Sequence, residues 1–195
     1  MRRQGKILRS YSTFSPSGDL AELIGVVLGD GHIAKFPRTE GLTISGNAHN
    51  TGFTRRYGGL VQKLFGKKPY VVRSGERKSC MRIRIYQRDI SKRLDIPAGN
   101  RSTCVINIPS WVRQRRPFLI RYLRGLYEAE GSFSVHRPTF TFKFLFSNRN
   151  PSLLNAVMEG LGVLGFHPHR SRDKVQLSRK DEVYRCMKLL RFRNY

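Results

Sequence analysis

The chain is short of acid. Among its 195 residues, Asp and Glu number 13 against 37 Lys and Arg, giving a formal charge of +24 and a pI near 11. A field of that sign draws polyanions at long range, with nucleic acid the first candidate and an anionic membrane surface the second. The membrane is the weaker reading. The basic residues follow strand patterns rather than one face of an amphipathic helix, and no apolar run approaches the roughly 18 residues a span needs. Cysteine is scarce too. Cys80, Cys104 and Cys186 are odd in number, widely spaced and form no CxxC pair. A zinc ribbon or disulfide scaffold is therefore not expected, and an intracellular, reducing compartment is: cytoplasm, nucleoid or organelle matrix. The five histidines do not cluster, and His167 and His169, flanking Pro168, read as a polar strand face. The opening MRRQGKILRS lacks the apolar core of a signal peptide.

What is present is ordered and doubled. Residues 1–110 hold 20 basic and 7 acidic groups, and residues 111–195 hold 17 and 6. So even a spread fits two folded halves facing one polyanion better than a basic tail. Residues 1–18 read as a basic lead-in arm, 19–96 as a first half, 97–116 as a linker holding the small ordered piece NIPSWV, and 117–195 as a second half. In the first half, GDLAELIGVVLGDG opens a helix with Asp19 as N-cap, Glu22 completing a capping box and Gly31 ending it. HIAKF and GLTIS are strands, 49–65 a helix stopped by Gly66, PYVVRS and CMRIRIYQR strands around a GERK turn, and RDISKRLD a short helix. The second half repeats the order: a helix from Pro117, strands SFSVH and TFTFKFLFS, a helix PSLLNAVMEGLGVLGF, strands FHPHR and KVQLS, and a last helix DEVYRCMKLLRF. Both halves read α-β-β-α-β-β-α, an α+β class with antiparallel sheets.

The few acids sit at matched places. LIGVVLGDG and LRGLYEAEG are two apolar helices ending in acid and glycine, with Asp30 and Glu130 closing them. Gly25 and Gly29 stand at i and i+4, as do Gly125 and Ala129, so each pair shares a helix face. Such small pairs pack either on their own sheets or on each other, where they let two backbones approach. In the second case both C-terminal ends meet. A helix C-terminus already carries about half a negative charge. Two such ends with two carboxylates call for a divalent cation, and carboxylate and carbonyl oxygens suit Mg²⁺, Mn²⁺ or Ca²⁺ rather than Zn²⁺. The alternative is two exposed caps that never meet.

The strands supply cations. In CMRIRIYQR, Met81, Ile83 and Ile85 alternate with Arg82, Arg84, Tyr86 and Arg88. In TFTFKFLF, Phe140, Phe142, Phe144 and Phe146 oppose Thr139, Thr141, Lys143 and Leu145. A two-stranded ribbon can enter the DNA major groove, where Arg reads guanine in bidentate fashion, while other cations hold phosphates. Candidate DNA contacts are Lys35, Arg38, Arg73, Arg77, Lys78, Arg82, Arg84, Tyr86 and Arg88 in the first half, and Lys143, His169, Arg170, Arg172 and Lys174 in the second. The bland alternative is a merely soluble basic sheet.

On these residues the chain resembles the LAGLIDADG homing endonucleases of the single-chain, two-motif class. Leu23, Gly25, Asp30 and Gly31 match in the first motif, with Gly29 for the usual alanine. Leu123, Gly125, Leu126, Ala129 and Gly131 match in the second, with Glu128 and Glu130 in place of the two Asp. The resemblance implies two pseudo-symmetric halves joined by the signature helices, each laying a saddle-shaped antiparallel sheet into the major groove of a long double-stranded target. It implies that Asp30 and Glu130, with the carbonyls of Gly29 and Ala129, hold Mg²⁺, with Mn²⁺ or Ca²⁺ able to replace it. Water then attacks the phosphodiester in line, and the double-strand cut leaves 3′ overhangs. By position after the second strand of each half, Asn47 and Asn148 or Arg149 are further candidate catalytic residues, while Gly46 stands where a polar side chain is expected; Arg101 is another candidate. The implied protein is an intron-encoded monomer. An intein is not expected, since Met1 stands at the start and RFRNY at the end. The competing readings are a maturase acting on intron RNA and a non-catalytic DNA-binding regulator on the same scaffold.

Overall fold

Two helices with small residues four apart form the axis of the protein. In the computed structural model, which describes residues 11–74 and 79–195, α1 (Gly18–Asp30) and α5 (Arg116–Glu130) pack on each other more closely than any other two elements. Gly25 and Gly125 meet at the crossing. A methyl on Gly25 would strike the Tyr122 carbonyl oxygen, and one on Gly125 would strike that of Glu22. The small pairs therefore serve helix–helix contact between the halves. Gly29 in place of alanine follows from the same packing: a Cβ there would lie 2.5 Å from that of Ala129.

Each axial helix runs straight into a sheet. The first half continues with β1 (Gly31–Phe36), β2 (Thr39–Asn47), α2 (Thr51–Phe65), β3 (Tyr70–Ser74), β4 (Cys80–Gln87) and α3 (Ile90–Leu94). A short α4 (Ser110–Arg113) precedes α5. The second half continues with β5 (Gly131–His136), β6 (Thr141–Ser147), α6 (Pro151–Val163), β7 (His169–Ser171), β8 (Lys174–Leu177) and α7 (Lys180–Leu190). The sheets have orders β1-β2-β4-β3 and β5-β6-β8-β7, every pairing antiparallel. These are two pseudo-symmetric halves of an α+β fold. Alternation decides which sheet face is dry. Leu42 lies opposite Ile33 and Ile85, and Ile44 opposite Ile83, all buried. Phe144 lies opposite Leu177, and Phe146 opposite Val175, with Tyr127 of α5 stacked 4.4 Å from Phe144.

Several local expectations are corrected. The N-cap of α1 is Ser17, whose side chain accepts from the Leu20 N–H at 3.2 Å. Asp19 lies inside the first turn and pairs with Lys63 and Arg121. Glu22 is fully buried and pairs with Arg56 and Arg121, so no capping box forms. Charge partners on α2 and α5 outcompete the local backbone for both carboxylates. Gly31 and Gly131 end their helices in extended conformation, φ −89° and −84°, not left-handed. Glycine is needed there for space, because a Cβ on either would run into the carbonyl of Val27 or Tyr127. Gly46 likewise makes room for the Phe53 ring, 2.7 Å from where its Cβ would be. Phe140 is not on the apolar face of β6. A 3-10 turn at Arg137–Thr139 precedes it, and it sits at φ 47°, 77% exposed. His167 precedes β7 and bonds Glu182 through Nδ1 at 2.6 Å, so it belongs to no strand face. Most of the lead-in arm (residues 1–10) and the GERK turn with Arg77 and Lys78 lie outside the described residues.

The segment between the halves is part of the core. Ile106, Ile108 and Val112 are buried, the Gly99 N–H donates to Ile33 at 2.9 Å, and the Ile106 N–H donates to Ser152 Oγ at 2.8 Å. No described helix is long and apolar enough to cross a membrane.

Candidate active site

The close helix crossing brings the two acids together. A Cβ on Gly29 would lie 3.2 Å from the Glu130 Cγ, and Asp30 is the next residue. Both carboxyls are half-buried at the C-terminal ends of α1 and α5, where the free carbonyls already concentrate negative charge. Burial, and then the charge of Glu130, push the Asp30 carboxyl up to about 7. Burial also raises Glu130, opposed by the Asn148 amide, which donates to its Oε1 at 3.3 Å. The exposed-cap alternative is thereby excluded.

The surroundings of the two acids differ. On the Glu130 side a cleft of about 560 Å³ opens, lined by Gly29, His32, Arg101, Asn148 and Arg149 among others. Arg101 comes from the segment between the halves. Its Nη2 donates to the Val27 and Gly31 carbonyls at 2.9 and 2.5 Å, bracing the end of α1, while the buried Nε and Nη1 have no partner among the described residues. Asn150 caps α6 with its Oδ1 and donates to the carbonyls of Arg101 and Cys104 at 2.7 and 2.8 Å, which seats the Arg101 loop. Asn47 is placed differently from its counterpart Asn148. It is exposed, its Oδ1 accepts from the His49 N–H at 2.9 Å, and it bonds neither acid. Asn148 makes the same local turn to Asn150, but also reaches Glu130.

Two residues beside the acids escaped the sequence reading. His32 is the outward residue of β1 immediately after the first motif, and the period-2 pattern could have flagged it. Arg193 donates from Nη2 to the Gly131 carbonyl at 3.3 Å, the counterpart of Arg101 on Gly31. No sequence signal marked it, because the contact depends on the chain folding back after α7.

Sheet register sorts the candidate DNA contacts. Arg82, Arg84 and Tyr86 pair with Ser45, Thr43 and Gly41, and all lie on the face away from the core. Lys143, Lys174 and His169 lie on the equivalent face of the second sheet. Lys35 and Arg73 have the opposite parity, shared with Gln87 and Met81. Arg170 shares parity with Val175 and bonds Asn155. Arg38 and Arg172 occupy turns, and Arg88 follows β4, donating to the Arg38 carbonyl at 3.0 Å. No group of three or more His, Cys, Asp or Glu converges among the described residues. A metal here would be held by two carboxylates and backbone oxygens, with water or phosphate completing the shell. That donor set suits a hard divalent ion, and the uncompensated crowding of the two acids fits one.

Residues 117–194 match the family model described as a LAGLIDADG-like domain. No curated protein matches the chain by sequence. The structure of homing endonuclease I-DmoI in complex with DNA and Mn is similar over 89% of this chain and 96% of that one, with 18% identity and a TM-score of 0.62. Mesophilic variants of I-DmoI are similar over 89% and 94%, with 20% identity and a TM-score of 0.60. The N-terminal LAGLIDADG domain of DUF199/WhiA is similar over 93% and 86%, with 13% identity and a TM-score of 0.62. At these identities the likeness is one of fold. Residues 117–194 thus carry a LAGLIDADG-like domain, and the two halves together have the fold of I-DmoI.

Proposed function

We propose that the protein is a site-specific double-strand DNA endonuclease, acting as a monomer and encoded within an intron, that hydrolyses phosphodiesters with a divalent ion, Mg²⁺ first. The observation that carries this reading is the meeting of Asp30 and Glu130 between two cation-bearing sheets. I-DmoI, of the same fold, has been solved with DNA and Mn and with DNA and Ca. A divalent ion held by the two carboxylates would supply Lewis acidity toward the scissile phosphate. The protein's own groups do the rest. Asn148 orients Glu130. Arg101 braces the end of α1 through the Val27 and Gly31 carbonyls and brings a positive charge to the wall of the cleft. Arg82, Arg84, Lys143 and Lys174 fix the duplex across the outer sheet faces. A reducing cellular compartment, a double-stranded DNA partner and 3′ overhangs belong to the same reading.

The test is a cleavage selection on a pool of random-sequence duplexes with Mg²⁺, with Mn²⁺ and with EDTA, beside Asp30→Asn. Discrete double-strand ends that require both the metal and Asp30 are expected. Duplexes retained without cut ends would replace the reading with a binding protein that does not cleave.

A further inference from the structure

A second basic site lies far from the acids. At the start of α5 a cavity of about 900 Å³ has Arg116, Arg185, Lys188 and Arg191 among its lining. Among the described residues no carboxylate lines it and none of the four cations forms a salt bridge. Ordinary helix electrostatics accounts for two of them: Lys188 and Arg191 stand at the C-terminal end of α7, where cations are favoured. It does not account for Arg116. Arg116 opens α5 at its positive end, with no acid in the first turn. Arg185 lies mid-helix, its Nη2 donating to the Gly165 carbonyl at 3.1 Å and its guanidinium 4.9 Å over the Phe166 ring, with no counter-charge among the described residues. Between the cations the accessible apolar surface is that of half-buried Leu189, with Leu164 and Phe166 buried behind it.

We propose that this cavity binds a single strand of nucleic acid, independently of the duplex on the sheets. Phosphates would lie on the cations and one unstacked base against Leu189 and the exposed Arg185 guanidinium. A duplex does not fit that description, because its bases are stacked between two backbones; a free base over an apolar or guanidinium surface does. The site is also spatially separate. Arg116 and Glu130 are 14 residues apart on one helix, about 21 Å along its axis. A strand held there leaves the catalytic cleft open, so the protein could hold two nucleic-acid segments at once.

The test uses the full chain at near-physiological salt with a labelled 12-residue oligouridylate, the matching oligodeoxythymidylate, and a random-sequence duplex pool. The variant is Arg185→Glu with Lys188→Glu, both exposed, its fold checked by circular dichroism. The double variant is expected to weaken single-strand binding about tenfold or more while changing duplex binding less than about twofold. Preference for the ribose strand would add recognition of the 2′-hydroxyl, and equal binding would mean the sugar is not read; either supports the proposal. Unchanged single-strand binding overturns it. So does a parallel loss on duplex and single strand, or inorganic polyphosphate or a polyglutamate peptide binding as tightly as the oligonucleotide, which would leave an unselective anion surface. If the wild type binds no duplex, the endonuclease reading falls and the single-strand arm still decides this one.

Discussion

Gly25 and Gly125 occupy matching points on helices from opposite halves, so near that a Cβ on Gly25 would lie 3.2 Å from the Gly125 Cα. The obstructing atoms are backbone, so neither helix can yield locally. Gly25→Ala or Gly125→Ala should cost about 3 kcal/mol or more. Chemical denaturation would read this as a lower midpoint. A loss under about 0.5 kcal/mol would mean the helices are not so closely seated.

The acid pair predicts a pH signature. Asp30 titrates near 7 in the folded protein against 3.8 unfolded, so between about pH 4 and 7 the folded state holds more protons. Metal-free stability should therefore fall as pH rises through that window. Asp30→Asn removes the effect and should raise the metal-free Tm at pH 8 by roughly 5 °C. Adding Mg²⁺ should stabilise the wild type at pH 8 and much less at pH 5.5, where protons compete for the ligands. A scanning-calorimetry series over pH checks both, and a Tm independent of residue 30 would count against the crowded pair.

Glu22 lies where Arg56 of α2 and Arg121 of α5 converge, with Arg124 Nε 3.6 Å away. It has no access to solvent. Glu22→Gln leaves the guanidinium groups without their counter-charge and should destabilise by about 3 kcal/mol. A cycle with Arg121→Met would isolate the part of this that couples the halves. Additive losses would show that the pair contributes nothing across the seam.

On the outer face of the first sheet, Arg84 stands between Thr43 and Tyr70. If it reads a guanine, Arg84→Ala should cost about 1–3 kcal/mol on the selected site and relax selectivity at one base pair. Equal weakening on all duplexes, with a shallower salt dependence, would make it a phosphate contact.

Phe140 holds a left-handed backbone, φ 47°, with its ring 77% exposed. A bulky residue is strained there. Phe140→Gly should stabilise the fold by about 1 kcal/mol, measured by urea unfolding; a destabilised variant would mean the ring has packing partners.

Much of the architecture was legible because it depends on local periodicity. The α-β-β-α-β-β-α order, the helix stop at Gly66 and the Arg82–Arg84 row follow from spacings of 3.6 and 2. The misreadings share one cause. Asp19 and Glu22 looked like caps because capping is a local rule, and they were claimed by Arg56, Lys63 and Arg121, up to 102 residues away. Phe140 fitted an alternating pattern, which says nothing about where a hairpin turns.

By itself the sequence determined the charge, the doubled element order and the two acid-ending helices, since each is a property of neighbouring residues. Only the tertiary structure decided that the helices pack on each other, that Arg101 braces the end of α1, that Asn148 reaches Glu130 while Asn47 bonds neither acid, and that Arg193 returns to Gly131. Those contacts join residues far apart in the chain, and packing between the halves, which no local pattern encodes, selects among them.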